Sequence, residues 1–161
     1  MAYVGRFATT RARLAAYLRR KIAEKGWDAP GPPDIEPLVE RLATLGYVDD
    51  AAFALAKARA LGSRGYGERR VDQALRHAGV EEADGAPAKE AASEGATAAA
   101  IRYAQRRRLG PFATERPDPK ARERALAAML RAGHGFDLAR RLLDLPPDGA
   151  ADPAAIERSL E

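Results

Sequence analysis

Cysteine is absent from this chain of 161 residues, and His77 and His134 are its only histidines. That excludes a disulfide framework, a thiolate metal site and a cysteine nucleophile. There is no phosphate-cradling glycine loop and no metal-spaced cluster either, so the residues offer no catalytic site, no cofactor site and no metal site. Aromatic residues are scarce at 6%, and alanine supplies much of the 46% hydrophobic content. A core of Ala and Leu with few rings suits thin, closely packed helices better than a thick central core. No segment approaches the roughly 20 apolar residues of a membrane span, and the opening MAYVGRFATTRARL lacks the apolar run of a signal peptide. The expectation is a soluble, cytoplasmic protein with no membrane partner.

What the chain does have is charge, and the charge is segregated. The net value is +4, yet residues 1–33 carry +5, 34–56 carry −4, 57–80 carry +4, 81–96 carry −4, 97–143 carry +7 and 144–161 carry −4. One basic block is ordinarily a solvated helix face. Three recurring along a helical array could line one surface and attract a polyanion such as DNA, or an acidic protein groove.

Alanine, leucine, arginine and glutamate dominate, and no stretch alternates apolar and polar residues over a strand's length, so the fold class is all-α. The first helix is expected over Thr10 to Lys25, capped by Thr9 or Thr10, ended by Gly26, with Leu14, Leu18 and Ile22 on one face. APGPPD (29–34) reads as a loop. The next helix starts near Asp34 with Pro37 in its first turn, and Ile35, Leu38, Leu42 and Leu45 mark its buried stripe. No third carboxylate or histidine lies close to Asp49 and Asp50 in sequence, so the pair reads as helix caps rather than metal or acid–base chemistry. Phe53, Ala56 and Ala60 fit one face of the following helix. Gly62, Gly65 and Gly67 break the chain before a helix from Glu68 to Ala78, whose inward stripe is Val71, Ala74, Leu75 and Ala78.

The chain also repeats itself. Residues 38–45 (LVERLATL) and 138–145 (LARRLLDL) share the pattern L-x-x-R-L-x-x-L. Each is preceded by a glycine, an aromatic and an aspartate, Gly26-Trp27-Asp28 and Gly135-Phe136-Asp137, with nine extra residues, 29–37, in the first copy only. Ile22 and Leu75 each stand four residues before a glycine, which places a middle copy between the outer two. Three copies of a three-helix unit are expected, at 1–48, 49–96 and 97–145, followed by a flexible tail, 146–161. Units too small to bury their own faces must stack, so tandem three-helix repeats in an elongated, curved array are expected.

Two segments then resemble a known family. LGYVDDAAFA (45–54) and RGYGERRV (64–71), continued by Leu75 and Gly79-Val80, resemble the middle-repeat signature of the RecX family. LGPFA (109–113) and MLRAGHGF (129–136) resemble its third-repeat segments, so the likeness covers roughly residues 3–145. One departure stands out: residues 81–96, EEADGAPAKEAASEGA, have no Leu, Ile or Phe and carry Pro87 where the family has a third middle-repeat helix. A short, loose or partly disordered helix is expected there.

The resemblance implies a non-enzymatic regulator of DNA repair. RecX proteins associate with RecA filaments on single-stranded DNA and limit filament growth, ATP turnover, strand exchange and the coprotease activity of the SOS response. The implied partners are the RecA filament and single-stranded DNA, contacted directly or through the filament, by a monomer. Candidate contact residues are Arg64, Tyr66, Arg69, Arg70 and Arg76 at the middle-repeat joint, then Arg106, Arg107 and Arg108. Tyr66 could equally pack over its own turn, and 106–108 could be a solvated helix end. His134, between two glycines, reads as a turn residue, and Gly65-Tyr66-Gly67 is too short for a dinucleotide fingerprint. A DNA-binding helix-turn-helix transcriptional regulator is the alternative, since exposed arginines on three-helix units occur there too; a helical-repeat adaptor is a third reading.

Overall fold

Capping and glycine stops act over one turn, and the structure obeys them. The computed structural model describes residues 8–148 and 151–160, and these form nine α-helices and no strand. They are α1 (Arg11–Lys25), α2 (Ile35–Thr44), α3 (Asp50–Ser63), α4 (Glu68–Ala78), α5 (Glu82–Glu94), α6 (Ala96–Arg107), α7 (Pro119–Arg131), α8 (Phe136–Asp144) and α9 (Pro153–Leu160). None of these helices is long and apolar enough to cross a membrane. Thr10 caps α1 by accepting from the Arg13 N–H at 3.2 Å, and Gly26 ends it at φ +81°. Asp49 caps α3 through the Ala52 N–H at 2.8 Å. Gly79, at φ +70°, closes α4 in the left-handed conformation that costs glycine nothing.

Three clusters of buried side chains hold the helices. Leu14, Ala15, Ile35, Val39 and Val48 join α1 to α2. Ala54, Ala58, Val71, Leu75 and Ala88 join α3, α4 and α5. The largest, including Ile101, Tyr103, Met129, Leu142 and Leu143, is built from α6 to α9.

Several expected faces turn out differently. On α2 the inward residues are Ile35, Val39, Leu42 and Ala43, whereas Leu38 and Leu45 are 45% and 60% exposed. α1 is the helix that packs against α2, and its row of Leu14, Leu18 and Ile22 meets the Val39 side of the cylinder. On α3 the inward row is Asp50, Ala54 and Ala58, while Ala56 and Ala60 face solvent and Phe53 is half-buried. α5 lies across α3, and alanine at 54 and 58 lets the second helix approach.

α5 itself is a full helix rather than a loose one. Its buried positions are Gly85 and Ala88, and Leu75 and Val80 reach into the space Gly85 leaves, 3.8 and 3.6 Å from where a Cβ would stand. The large side chains come from α4 and the link after it, so α5 need supply only a flat surface. Pro87 removes the bond to the Ala83 carbonyl, but both residues are exposed, and water can take the acceptor's place.

The chain's last described residues add a short helix to this core. Asp152 caps α9, and Ile156 and Leu160, one helical turn apart, are buried against the α6–α8 cluster.

Candidate interaction surface

The basic joint between α3 and α4 is built around glycines pressed against backbone from α6 and from the α7–α8 turn. A Cβ on Gly67 would stand 2.5 Å from the Gly133 carbonyl carbon, and one on Gly65 would stand 2.9 Å from the Tyr103 nitrogen. The two turns are stitched together by their backbones. The Gly67 N–H donates to the Ala132 carbonyl at 3.0 Å, and the Arg69 N–H donates to the Gly133 carbonyl at 3.2 Å. N–H groups at a helix start have no partner within their own helix, so carbonyls from the α7–α8 turn fix the direction of α4 and its arginines.

His134 completes this junction, only 1% exposed. Its Nε2 lies 3.1 Å from the Gly65 carbonyl, and its ring centroid is 5.4 Å from that of Tyr103. A carbonyl only accepts, so Nε2 carries the hydrogen and Nδ1 is the bare nitrogen, which has no partner among the described residues. Burial pushes the His134 pKa below its ordinary 6.5, with the Gly65 carbonyl opposing. The unfolded chain therefore binds this proton more readily than the folded one. The stability His134 contributes is complete above about pH 6.5 and is lost as pH falls toward the depressed folded value. Urea midpoints measured from pH 7.5 down to 5 should fall more steeply for the native chain than for His134→Gln; parallel curves would contradict this.

The candidate residues fall into two groups bordering the junction. Arg64, Arg69, Arg70 and Arg76 are all exposed. Asp72 partly neutralises Arg76 at 2.9 Å, and Arg70 donates to the Gln73 amide oxygen at 2.8 Å. Tyr66 is half-buried and packs against the α6–α9 cluster, so its ring has a structural role whatever else it does. Arg106 and Arg107 hold their guanidinium groups 5.9 and 5.8 Å from the Tyr103 ring centre. Arg108 caps α6 at φ +54°, the one non-glycine residue in that region among those described.

A further basic site is invisible in the sequence. α1 docks its N-terminus on α3, α4 and α5. The Thr10 hydroxyl donates to the Ala78 carbonyl at 2.6 Å, and the Arg11 N–H donates to Asp50 Oδ1 at 2.9 Å. The Arg11 guanidinium pairs with Asp84, and it reaches Glu40 at 3.7 Å and Asp50 at 3.8 Å. Burial alone would lower the Arg11 pKa, but Asp50, Asp84 and Glu40 outweigh it and the net shift is upward. For Asp50, burial dominates and raises the pKa, with Arg11 working against it. Asp50 thus caps a helix end as expected, but the end of α1 rather than its own. This docking carries Arg13 into a cleft with Lys57 of α3 and Arg70, Gln73 and His77 of α4. The sequence signal for that convergence was only the recurrence of basic blocks, because 44 residues separate Arg13 from Lys57.

The arrangement is one of interlocked small helices carrying basic faces, and comparison with known proteins agrees. A protein from Myxococcus xanthus (strain DK1622), named regulatory protein RecX, is 33% identical over 160 residues, covering 90% of this chain and 82% of that protein. The chain belongs to the RecX family. A second member, regulatory protein RecX of Agrobacterium fabrum (strain C58 / ATCC 33970), is 27% identical over 147 residues, covering 89% of this chain and 78% of the relative. No family model matches the chain. In this RecX-family chain the LGYVDD and RGYGERR segments flank α3, and the second of them forms the turn that aims α4.

Proposed function

We propose that this RecX-family chain is a non-enzymatic, cytoplasmic regulator of homologous recombination and the SOS response. It binds the RecA filament on single-stranded DNA as a monomer and inhibits ATP hydrolysis, strand exchange and coprotease action. The observation that carries this reading is the joint where two turns lock α4 and leave Arg64 and Arg69 exposed with no carboxylate partner among the described residues. A rigid, unneutralised basic ridge suits an acidic groove or a phosphate-rich filament.

The tandem-repeat organisation belongs to the same proposal, with units at 1–48, 49–96 and 97–145. Two observations support it. The buried clusters follow one another along the chain. The two L-x-x-R-L-x-x-L motifs also point the same positions inward: Val39, Leu42 and Ala43 in α2, and Ala139, Leu142 and Leu143 in α8. Such units would stack into an elongated, curved body suited to lying along a filament. The helix-turn-helix alternative fits less well, because the α7–α8 turn stands against the N-terminus of α4, the end a recognition helix directs at base edges.

The test is ATP hydrolysis by the cognate recombinase on single-stranded DNA. The chain should slow it at substoichiometric amounts, and no effect at excess would refute the proposal. Replacing Arg69 and Arg70 with Ala leaves Val71 and Leu75 in place, so folding should persist. The amount needed for half-inhibition should rise on the order of tenfold, about what two lost charge-assisted contacts at an exposed surface give. Unchanged inhibition would move the contact elsewhere.

A further inference from the structure

The cleft where α1, α3 and α4 meet gathers a cation from each of three helices with no acid among them. It is a cavity of about 310 Å³, with Arg13, Lys57, Arg70, Gln73 and His77 around a floor of Leu61 and Ala74. No carboxylate lines it, and among the described residues none pairs with Arg13, Lys57 or Arg70. The contrast lies two residues away on α1, where Arg11 alone faces Asp50, Asp84 and Glu40. Acids are therefore within reach of this end of α1, and all of them stand on the Arg11 side. Three cations from three helices held together without a counter-charge repel one another, and they are relieved when an anion enters. Arg13 is aimed by the Phe53 ring, 5.3 Å beneath its guanidinium carbon.

We infer that this cleft binds the phosphodiester backbone of single-stranded nucleic acid directly, with Arg13 and Lys57 as the phosphate contacts and Gln73 and His77 as neighbouring hydrogen-bond donors. Anion binding stands on the geometry; the choice of a single strand rests on the reading of the chain as a partner of a filament on single-stranded DNA. A strand also fits the form of the site better than an acidic peptide. The cleft is an apolar-floored notch with a ring at its edge, and it has cations on both walls, where successive phosphates can lie with a base toward Leu61 and Phe53. The site exists only while α1 is docked, because Arg13 stands on a helix of one buried cluster and Lys57 and Arg70 stand on helices of the next.

The test uses the full chain and a fluorescein-labelled oligothymidylate, with no recombinase present, read by anisotropy across a salt series. Arg13→Gln with Lys57→Gln keeps both stems, and neither residue takes part in an ion pair among those described. Affinity at low salt should fall about tenfold or more, and the slope of log K against log salt should shrink by about 1.4, the value for two lost single-strand phosphate contacts. Lys120→Gln with Arg124→Gln, exposed on α7, should leave both nearly unchanged. If the double variant at the cleft folds poorly, Gln73→Glu provides the second route. It keeps the side chain's shape, draws Arg70 into an ion pair and should weaken the oligonucleotide in the same direction. The inference is overturned if the native chain fails to bind the oligonucleotide at low salt, or if the cleft variants bind it as the native chain does. It is also overturned if a polyglutamate peptide of equal charge displaces the strand with higher affinity, which would make the cleft a protein-docking site. The recombinase ATPase assay is read separately. Cleft variants that lose the strand but still inhibit ATP hydrolysis would leave the regulator reading standing.

Discussion

Gly133→Ala should lower the unfolding free energy by about 3 kcal/mol or more, by joining two costs at one atom. The backbone at Gly133 has φ +96°, a conformation that side chains with a Cβ rarely adopt. The new Cβ would also stand 2.5 Å from the Arg70 nitrogen and 2.7 Å from its Cβ, neither of which can swing aside without moving α4. Two residues further on, Gly135 has φ −65° and open space where its Cβ would go, so Gly135→Ala should change stability by no more than about 0.5 kcal/mol. Urea denaturation followed by helical circular dichroism gives both values. Equal stability of the two variants would mean that the α3–α4 and α7–α8 turns are not packed as described. Gly133→Ala should also reduce recombinase inhibition in protein that remains folded, because the Gly133 carbonyl holds the Arg69 N–H and so the direction of α4.

The second large effect is expected at Asp50. Asp50 is 4% exposed, and its carboxylate accepts the first N–H of α1 at 2.9 Å and carries one of the charges facing Arg11. Asp50→Ala leaves that N–H without a partner, weakens the pairing of a half-buried guanidinium and opens space in a closed interface. A loss of about 3 kcal/mol is expected, toward the lower end for a broken buried pair because Asp84 and Glu40 still face Arg11. Asp50→Asn keeps an acceptor for the N–H and removes a charge that burial already disfavours, so it should cost about 1 kcal/mol. Asp49→Ala removes only an exposed cap and should also cost about 1 kcal/mol. Thermal unfolding of the three variants ranks them. If Asp50→Ala is no worse than Asp49→Ala, the docking of α1 does not depend on this carboxylate. Oligonucleotide binding should fall with Asp50→Ala at temperatures where the chain is still helical, since undocking α1 withdraws Arg13 from the cleft.

Much of the local structure was legible in the residues. The span of α4 from Glu68 to Ala78, the Thr10 and Asp49 caps and the stop at Gly26 all follow from interactions within about one turn of the chain. The inward row of α4 was legible because Val71, Leu75 and Ala78 stand beside the charged Arg69, Arg70 and Arg76. Where a helix is rich in alanine, that contrast disappears. α3 offers alanine on nearly every side, and only the position of α5 decides that Ala54 and Ala58 go in while Ala56 and Ala60 stay out. The same holds for α5, whose lack of large side chains looks like weakness until Leu75 and Val80 are seen to fill its surface.

The candidate site divides in the same way. The arginines from Arg64 to Arg76 were legible as a basic run, and they do stand exposed around α4. Their orientation was not legible, because it comes from carbonyls at Ala132 and Gly133, more than sixty residues away. The charge of Arg13 was readable, but its lack of a neutralising partner was not, nor its meeting with Lys57. Sequence by itself determined an all-helical RecX-family chain, its caps and stops, and its alternating charge, because propensity, capping and composition are properties of neighbours along the backbone. Tertiary structure alone decided which small faces are buried, which cations are neutralised and which are left without a carboxylate partner among the described residues. Desolvation and Coulomb attraction depend on distance in space, and the partners that set them here lie tens of residues apart.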